Sequence, residues 1–327
     1  MGAMYSKPPA QGSLKLVRLV CDHGNFMSAR QFLFALVACL ALPSAVAETL
    51  YVATLRDYSN RETSGVGGAL FSVDSNTGKS TLIAQLRVGG AIPIGLTGLA
   101  IHPRTGVFYG ITAGLSSQIP RSLVTIDPKT GNTTLVGNLN HEGSDIRFDS
   151  KGTLFAWLND PPGLGIIDVG TGAATPLGAS GYSNTLGGGL AIDRDGTVYV
   201  SATNAAGTLD KVDLTTGHVT VGPRIIGAPY LSSINSMAFS PAGVLHAVNS
   251  NLGAPAKSAL VVIDPKTGQV KELGPLPNDV DPLAFAPTSL GAASDEPWVK
   301  PWMLVLVAMG GGLVLGYGIA VMTRRRA

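Results

Sequence analysis

Short runs of apolar residues, or of alternating apolar and polar residues, recur along residues 48–288, and each run ends at a turn signal that contains glycine. Five of these turns read Asp-x-x-Thr-Gly, with successive glycines 53, 41, 45 and 51 residues apart. The five copies are Asp74–Gly78, Asp127–Gly131, Asp168–Gly172, Asp213–Gly217 and Asp264–Gly268. Aspartate bonds to nearby backbone amides and glycine adopts positive φ, so each copy predicts a tight turn between two antiparallel strands.

A second predicted hairpin lies between consecutive copies of this motif. An apolar strand meets a glycine turn and a second strand in LAIHPRTGVFYG, IRFDSKGTLFAW, LAIDRDGTVYVS and MAFSPAGVLHAV, which span 99–110, 146–157, 190–201 and 237–248. Two hairpins in each repeat give four strands. Four strands per repeat are typical of a propeller blade.

The two ends of the repeat region each carry a strand without a partner. The segment LAFAP at 283–287 resembles the first strand of a blade, and LYVAT at 50–54 resembles a second strand. Placed side by side, they complete a fifth blade and remove the exposed sheet edges. The sequence therefore predicts an all-β fold, a five-bladed β-propeller over residues 48–288, and about 240 residues leave little room for six or seven blades.

An apolar segment precedes the repeats. It runs from Phe32 to Ala47, follows the basic residue Arg30 and ends in Ala-Val-Ala, which is typical of a secretory signal peptide. Residues 1–47 are therefore predicted to be an N-terminal extension and signal peptide, with Met1 or Met27 as the start. Two alternatives stay open, a buried core helix and lipidation of Cys39 in a lipobox-like sequence.

A second apolar segment follows the repeats. The 21 residues from Trp302 to Met322 carry no charge, and Arg324–Arg326 come directly after them. They predict a transmembrane helix over 301–323, joined by a linker at 289–300. By the positive-inside rule the basic tail at 324–327 is cytoplasmic and the propeller lies outside, in the periplasm or at the cell surface.

Two resemblances accompany these features. The turns Asp127–Gly131 and Asp264–Gly268 read Asp-Pro-Lys-Thr-Gly, and residues 49–288 resemble the YVTN/WD40-like repeat propellers of bacteria. That resemblance implies architecture rather than function. Quinoprotein dehydrogenases have a similar turn, but their docking tryptophan after the glycine is absent from all five copies, which counts against a quinone cofactor.

The C-terminal end resembles the tripartite PEP-CTERM-type sorting tails. Those tails combine a short polar motif, an apolar helix and an arginine cluster. Asp295-Glu296-Pro297 stands where Pro-Glu-Pro is usual, so processing of the tail stays open beside a plain membrane anchor.

Cysteine content and charge exclude several kinds of site. Cys21 and Cys39 both precede the predicted cleavage site, so the mature body can form neither a disulfide nor a cysteine-based metal site. Residues 48–299 hold 20 acidic and 15 basic side chains, a net charge near −5. That balance argues against a nucleic-acid partner, which needs a basic surface.

The predicted working surface is the face that holds the irregular connections. Binding usually lies on variable loops over a rigid scaffold. Tyr58, Tyr182 and Tyr230 lie in or beside these loops and are predicted to stack on a ligand. The irregular connections are 57–68, 88–97, 113–121, 179–188, 224–235 and 250–258.

Aligning the first strands of the blades predicts a polar ring at the mouth of the central channel. The ring contains Thr97, Ser144, Asn235 and Asp281, and Asp145 lies one step further in. Oxygen atoms of Asp145, Asn235 and Asp281 suit a hard cation such as Ca²⁺. The alternative is that these groups hydrogen-bond ordered water. Apart from this cation, the sequence predicts no cofactor.

Other catalytic chemistry is sparse. The four histidines of the mature body lie in different blades and have no paired spacing. Asp149 and Asp193 occupy equivalent turn positions and are interpreted as turn-forming residues rather than a catalytic pair. The sequence thus favours an exported, membrane-anchored binding module for a protein, glycan or small molecule. The alternative is a metal-dependent hydrolase or lactonase at the channel mouth.

Overall fold

The computed structural model describes residues 48–55, 68–114, 119–183, 187–202, 207–230, 233–251, 253 and 256–287. In these ranges the chain forms strands and no helix. No helix in the described parts of the chain is long and apolar enough to span a bilayer. The predicted signal peptide and transmembrane helix lie outside these ranges.

Twenty-two strands alternate with turns along the described chain. They are β1 (Leu50–Thr54), β2 (Ala69–Val73), β3 (Ser80–Gln85), β4 (Arg87–Val88), β5 (Ile92–Pro93), β6 (Gly98–Ile101), β7 (Phe108–Ile111), β8 (Ser122–Ile126), β9 (Asn132–Asn138), β10 (Gly143–Phe148), β11 (Leu154–Asn159), β12 (Pro162–Ile167), β13 (Ala174–Pro176), β14 (Gly188–Ile192), β15 (Val198–Ala202), β16 (Asp210–Val212), β17 (Val219–Thr220), β18 (Ser233–Phe239), β19 (Leu245–Ser250), β20 (Ser258–Ile263), β21 (Val270–Leu276) and β22 (Val280–Phe285).

Five sheets, each built on four antiparallel strands, confirm the predicted five-bladed propeller. From the axis outward, the blades are β22-β1-β2-β3, β6-β7-β8-β9, β10-β11-β12-β13, β14-β15-β16-β17 and β18-β19-β20-β21, here called blades 1 to 5. In blade 2 the short strands β4 and β5 add to the outer edge.

Blade 1 is built from both ends of the propeller, as the sequence predicts. Leu50 of β1 pairs with Phe285 of β22 on one side and with Val73 of β2 on the other. The C-terminal strand therefore supplies the innermost position of the first blade. This arrangement closes the ring, because β1 is paired on both sides and β22 leaves only its inner edge facing the channel.

The hydrophobic core lies between neighbouring blades. Leu50 and Val52 of blade 1, for example, pack with Val248 and Leu260 of blade 5, and all four are fully buried. Alternation along each strand sends one set of side chains to the preceding blade and the other to the next. Each blade is therefore stabilised from both faces, and the ring forms one continuous packing unit.

The Asp-x-x-Thr-Gly motif joins the blades as well as turning the chain. In the second copy, Asp127 Oδ1 accepts a hydrogen bond from Lys129 N at 2.9 Å, and Gly131 adopts φ 74°. A Cβ atom on Gly131 would press on the carbonyl of Gln85, in the outer strand of the preceding blade. The Gly131 carbonyl also accepts a hydrogen bond from Arg87 N at 3.0 Å. Position 131 thus requires glycine for two reasons, the positive φ and the close approach to the Gln85 carbonyl.

We expect Gly131→Ala to destabilise the propeller more than Gly196→Ala. Gly196 also has positive φ, at 88°, but a Cβ there meets nothing within 4 Å. The control variant therefore carries only the backbone cost of about 1–2 kcal/mol, whereas Gly131→Ala adds a clash and should exceed about 3 kcal/mol. Thermal unfolding of the two variants measures the difference. Equal shifts in Tm would show that the contact between blades does not limit stability.

Candidate functional site

The propeller has two faces of different character. Because neighbouring strands are antiparallel, the Asp-x-x-Thr-Gly turns and the turns at Gly106, Gly152, Gly196 and Gly243 share one end, which we call the turn face. The irregular connections lie at the other end, the loop face. Of these connections only 88–97 is described in full. Tyr58 and parts of the other five lie outside the described residues.

The innermost strand of blade 3 departs from the other four at two positions. At the first position β10 has Asp145, where the other strands have Gly98, Gly189, Ser236 and Pro282. Two residues later β10 has Arg147, where the other strands have Ala100, Ala191, Ala238 and Ala284. Residues two apart on a strand point to the same side. Asp145 and Arg147 therefore lie on the same side of β10 and contact each other.

Asp145 and Arg147 form a buried ion pair on the channel axis. Arg147 Nη1 lies 3.1 Å from Asp145 Oδ1, and the side chains are only 8% and 0% exposed, respectively. Arg147 Nη2 also donates to Ser236 Oγ at 2.7 Å. We call these three residues the channel hub.

The channel hub binds the backbone of all five innermost strands. Arg147 donates to the carbonyls of Leu99 at 2.7 Å and Met237 at 2.6 Å. Asp145 accepts from the amides of Ile146, Leu190 and Met237 at 2.9, 3.0 and 3.2 Å. Ser236 Oγ accepts from Leu283 N at 3.1 Å. The backbone groups belong to one equivalent repeat position in the five blades, namely Leu99, Ile146, Leu190, Met237 and Leu283.

The hydrogen bonds of the channel hub satisfy backbone groups that the closed ring leaves unpaired. The free edge of each innermost strand points its amides and carbonyls into the channel, away from bulk water. Buried backbone groups without partners are costly, about 1–3 kcal/mol each. One ion pair and one hydroxyl satisfy edge groups from five strands, so the hub holds the blades together at the axis.

Burial sets the protonation of the hub. It raises the pKa of Asp145 to about 6, against the opposing effects of the Arg147 charge and the bonded amides. Burial also raises the pKa of Asp281 well above its usual range, and the nearby charge of Asp145 raises it further. Asp281 therefore holds its proton to higher pH than an exposed aspartate does.

The predicted ring residues come together as ties between neighbouring blades. Thr97 Oγ1 donates to the Gly143 carbonyl at 3.0 Å, and Ser144 Oγ donates to the Gly188 carbonyl at 3.2 Å. Asn235 and Asp281 are joined by a side-chain hydrogen bond. These contacts link blade 2 to blade 3, blade 3 to blade 4 and blade 5 to blade 1.

Register shifts in the innermost strands orient three of these side chains. The register of β10 shifts at Ser144, that of β18 shifts at Asn235, and Asp281 lies in β22 where its pairing with β1 shifts. A β-bulge redirects the side chain that it carries. The bulges therefore turn three ring residues toward the next blade.

Arg147 occupies the space beside Asp145, one of the three predicted calcium ligands. Both carboxylate oxygens of Asp145 already accept amide hydrogen bonds, and Arg147 neutralises the charge. Ca²⁺ takes six to eight oxygen ligands, so binding here requires displacement of the guanidinium. We expect calorimetric titration with millimolar Ca²⁺ to give no heat of binding. Saturable heat that disappears in Asp281→Asn would instead support the metal site.

The two described tyrosines of the predicted binding face are partly buried. The Tyr182 hydroxyl donates to the Asp210 carboxylate, and its ring meets Trp157 edge-on with centroids 6.0 Å apart. Tyr230 packs against the core between blades 4 and 5. Its backbone amide donates a hydrogen bond to Asn249 Oδ1 at 2.8 Å. Their stacking on a ligand stays a prediction.

A cavity of about 410 Å³ opens around the axis on the turn face, opposite to the predicted working surface. Its lining comes from the ends of all five innermost strands, and Arg147 contributes to it. This cavity is not among the predicted sites. A signal for it was present in the sequence, because an apolar residue follows the recurring alanine of each innermost strand, or Arg147 in blade 3.

Comparisons with known proteins give only distant similarity. No family model matches the chain, and no curated protein matches it. A chain in the structure of a nidogen/laminin complex is 14% identical with a TM-score of 0.47, and the match covers 73% of this chain and 98% of that chain. A gluconolactonase from Xanthomonas campestris is 14% identical with a TM-score of 0.43, covering 65% and 74%. Similarity at this level carries no functional argument, and the propeller assignment rests on the strand order.

Proposed function

We propose that this chain is an exported, membrane-anchored β-propeller that binds a protein, glycan or small molecule through its loop face and catalyses no reaction. The observation that carries the proposal is that the first and last described residues of the propeller lie side by side on the turn face. Ala286 N donates to the Thr49 carbonyl at 2.9 Å, beside the Leu50–Phe285 pair, so both ends leave from the turn face.

This exit point orients the propeller relative to the proposed anchor. The anchor at 301–323 follows Pro287 by 13 residues, and an extended linker of that length reaches at most about 45 Å. The proposed tether thus starts from the turn face, and the loop face is the opposite side of the propeller. That orientation leaves the irregular loops open to partners outside the cell membrane.

The chemistry of the channel supports binding rather than catalysis. Asp145 and Asp281, the carboxyl groups that the metal-dependent hydrolase alternative needs, take part in hydrogen bonds that hold the innermost strands. The resemblance to YVTN/WD40-like propellers and to PEP-CTERM-type tails is in keeping with an exported surface protein.

Single-cysteine labelling tests the proposal, because the mature body contains no cysteine of its own. Asn278→Cys lies in the connection between blades 5 and 1 on the loop face, and Lys266→Cys lies in the fifth Asp-x-x-Thr-Gly turn. Both residues are exposed. We expect a membrane-impermeant maleimide to label both variants in intact cells or spheroplasts, and deletion of 301–323 to release the protein from the membrane.

The same pair tests the working face. A photo-crosslinker attached at Asn278→Cys should give a defined adduct in intact cells, whereas the matched reagent at Lys266→Cys should give none. In reconstituted vesicles a dye at Lys266→Cys should be quenched more by a lipid-borne acceptor than a dye at Asn278→Cys. Adducts from the turn face alone, or stronger quenching at the loop face, would overturn the proposal.

A further inference from the structure

We propose that the axial cavity of the turn face is a second binding site, which takes a small organic cation with an apolar body, such as an arylalkyl ammonium. The site is separate from the loop face, and the channel hub lies between them. Its volume of about 410 Å³ falls within the range of pockets that hold small ligands.

The wall of the cavity is apolar and comes from equivalent positions in the five blades. The wall residues belong to the apolar ends of the innermost strands. They are Ile101, Phe148, Ile192, Phe239 and Phe285. Pro103, Pro241 and Pro287 continue this surface toward the opening. Such a wall removes the body of a ligand from water, at about 25 cal/mol for each Å² of apolar surface buried.

Two carboxylates from adjacent blades line the same cavity. Asp149 Oδ1 accepts hydrogen bonds from Lys151 N at 3.0 Å and from Thr153 N at 2.8 Å. Asp193 Oδ1 accepts a hydrogen bond from Arg194 N. The predicted role of both aspartates as turn-forming residues is thus confirmed. Within the described residues no hydrogen bond engages the Oδ2 atom of either aspartate, so these two oxygens are available to a ligand.

The floor of the cavity does not offer a matching site for an anion. Arg147 already donates from Nε and from both Nη atoms to the hub and to backbone carbonyls, and Asp145 balances its charge. The other arginine of the lining, Arg194, is exposed to solvent at the opening. The half-buried charges that face the ligand volume are therefore negative.

The number of carboxylates favours an organic cation over a bare metal ion. Among the described residues no group of three or more His, Cys, Asp and Glu side chains is placed to hold a metal. A divalent ion such as Ca²⁺ needs six to eight oxygens. An ammonium group needs only two or three acceptors, and aromatic rings at Phe148, Phe239 and Phe285 add attraction for a cation.

The test uses three probes of similar size and different charge on the full-length protein in detergent micelles. Phenethylammonium, 2-phenylethanol and 3-phenylpropanoate are titrated separately by calorimetry, with ligand-observed NMR as a second readout. We expect phenethylammonium to bind at least tenfold more tightly than the neutral alcohol and the carboxylate to show no saturable binding. No saturable binding of phenethylammonium up to 10 mM, or equal binding of the alcohol, overturns the proposal.

Matched variants locate the binding. Asp149→Asn combined with Asp193→Asn keeps the Oδ1 acceptors of the two turns and removes only the charge. The control is Asp168→Asn in the third Asp-x-x-Thr-Gly turn, where Oδ1 likewise accepts turn amides, from Gly170 N at 2.7 Å. We expect the double variant to weaken phenethylammonium binding at least tenfold and the control to leave it unchanged, at equal thermal stability. Binding that survives in the double variant rejects the site.

Discussion

Replacing Arg147 by alanine should be the most destabilising single change in the propeller. The change leaves the Asp145 carboxylate buried without its cation and removes donors to Leu99 and Met237. Breaking a buried pair by deleting one partner typically costs 3–5 kcal/mol. We expect the Tm of Arg147→Ala to fall by about 10 °C or more, as measured by circular dichroism.

A double variant separates the ion pair from its bonds to the strands. Asp145→Gly with Arg147→Ala gives β10 the Gly-x-Ala pattern that blades 2 and 4 carry, and it leaves no unpaired charge. It should therefore be more stable than Arg147→Ala, yet less stable than the native protein, because edge groups of four innermost strands lose their partners, while the Leu283 amide keeps Ser236. A Tm equal to that of the native protein would contradict the role of the hub, as would a loss below about 1 kcal/mol in Arg147→Ala.

Stability should fall as pH rises, because two buried carboxyl groups, Asp145 and Asp281, hold their protons more tightly in the folded state. Both buried carboxyls have pKa values raised by burial. A raised pKa in the folded state means that the folded protein holds the proton more tightly than the unfolded chain does. The stabilisation is therefore complete below the unfolded value near 3.9 and is lost as pH rises through the folded values. For Asp145 the loss spans about pH 4 to 6 and amounts to a few kcal/mol.

Asp281→Asn tests this assignment, since the amide cannot ionise and keeps the shape of the side chain. We expect the variant to be more stable than the native protein at pH 8, and its Tm to fall less than the native Tm as pH rises. The control Asp264→Asn removes an exposed carboxylate whose pKa is lowered by hydrogen bonds from Lys266 and Thr267. Its effect should be confined to acid pH, where that stabilisation is lost. Parallel curves of Tm against pH for Asp281→Asn and the native protein would refute the assignment.

The fold could be predicted because its determinants are local and repeated. Each Asp-x-x-Thr-Gly turn carries its own backbone chemistry, and five copies at similar spacing define five blades. The closure of blade 1 was also visible, since LYVAT and LAFAP each match one strand of the repeat. Pattern and turn chemistry agree at every copy, which is typical of a sequence that specifies one structure.

The site was harder to predict because its partners are backbone groups. Alignment placed Thr97, Ser144, Asn235 and Asp281 at one level of the channel, and the structure brings them together. The alignment could not show that Thr97 and Ser144 donate to backbone carbonyls of the next blade, because those carbonyls carry no sequence signal. The role of Arg147 was not predicted, although the sequence shows an arginine in place of a recurring alanine. Its role depends on groups of another blade, Ser236 and the Met237 carbonyl, whose proximity only the fold reveals.

The position of β22 has a consequence for how the protein matures. Leu50 and Phe285, which pair in blade 1, are separated by almost the whole propeller in sequence. A chain that emerges from a translocation channel with its N-terminal end first presents β1 long before its inner partner arrives. Until then the first sheet has an open edge and Ser236 lacks the Leu283 amide. On the proposed export route, folding should therefore complete only after β22 has crossed the membrane, and until then the open edge of the first sheet is exposed to pairing with other chains.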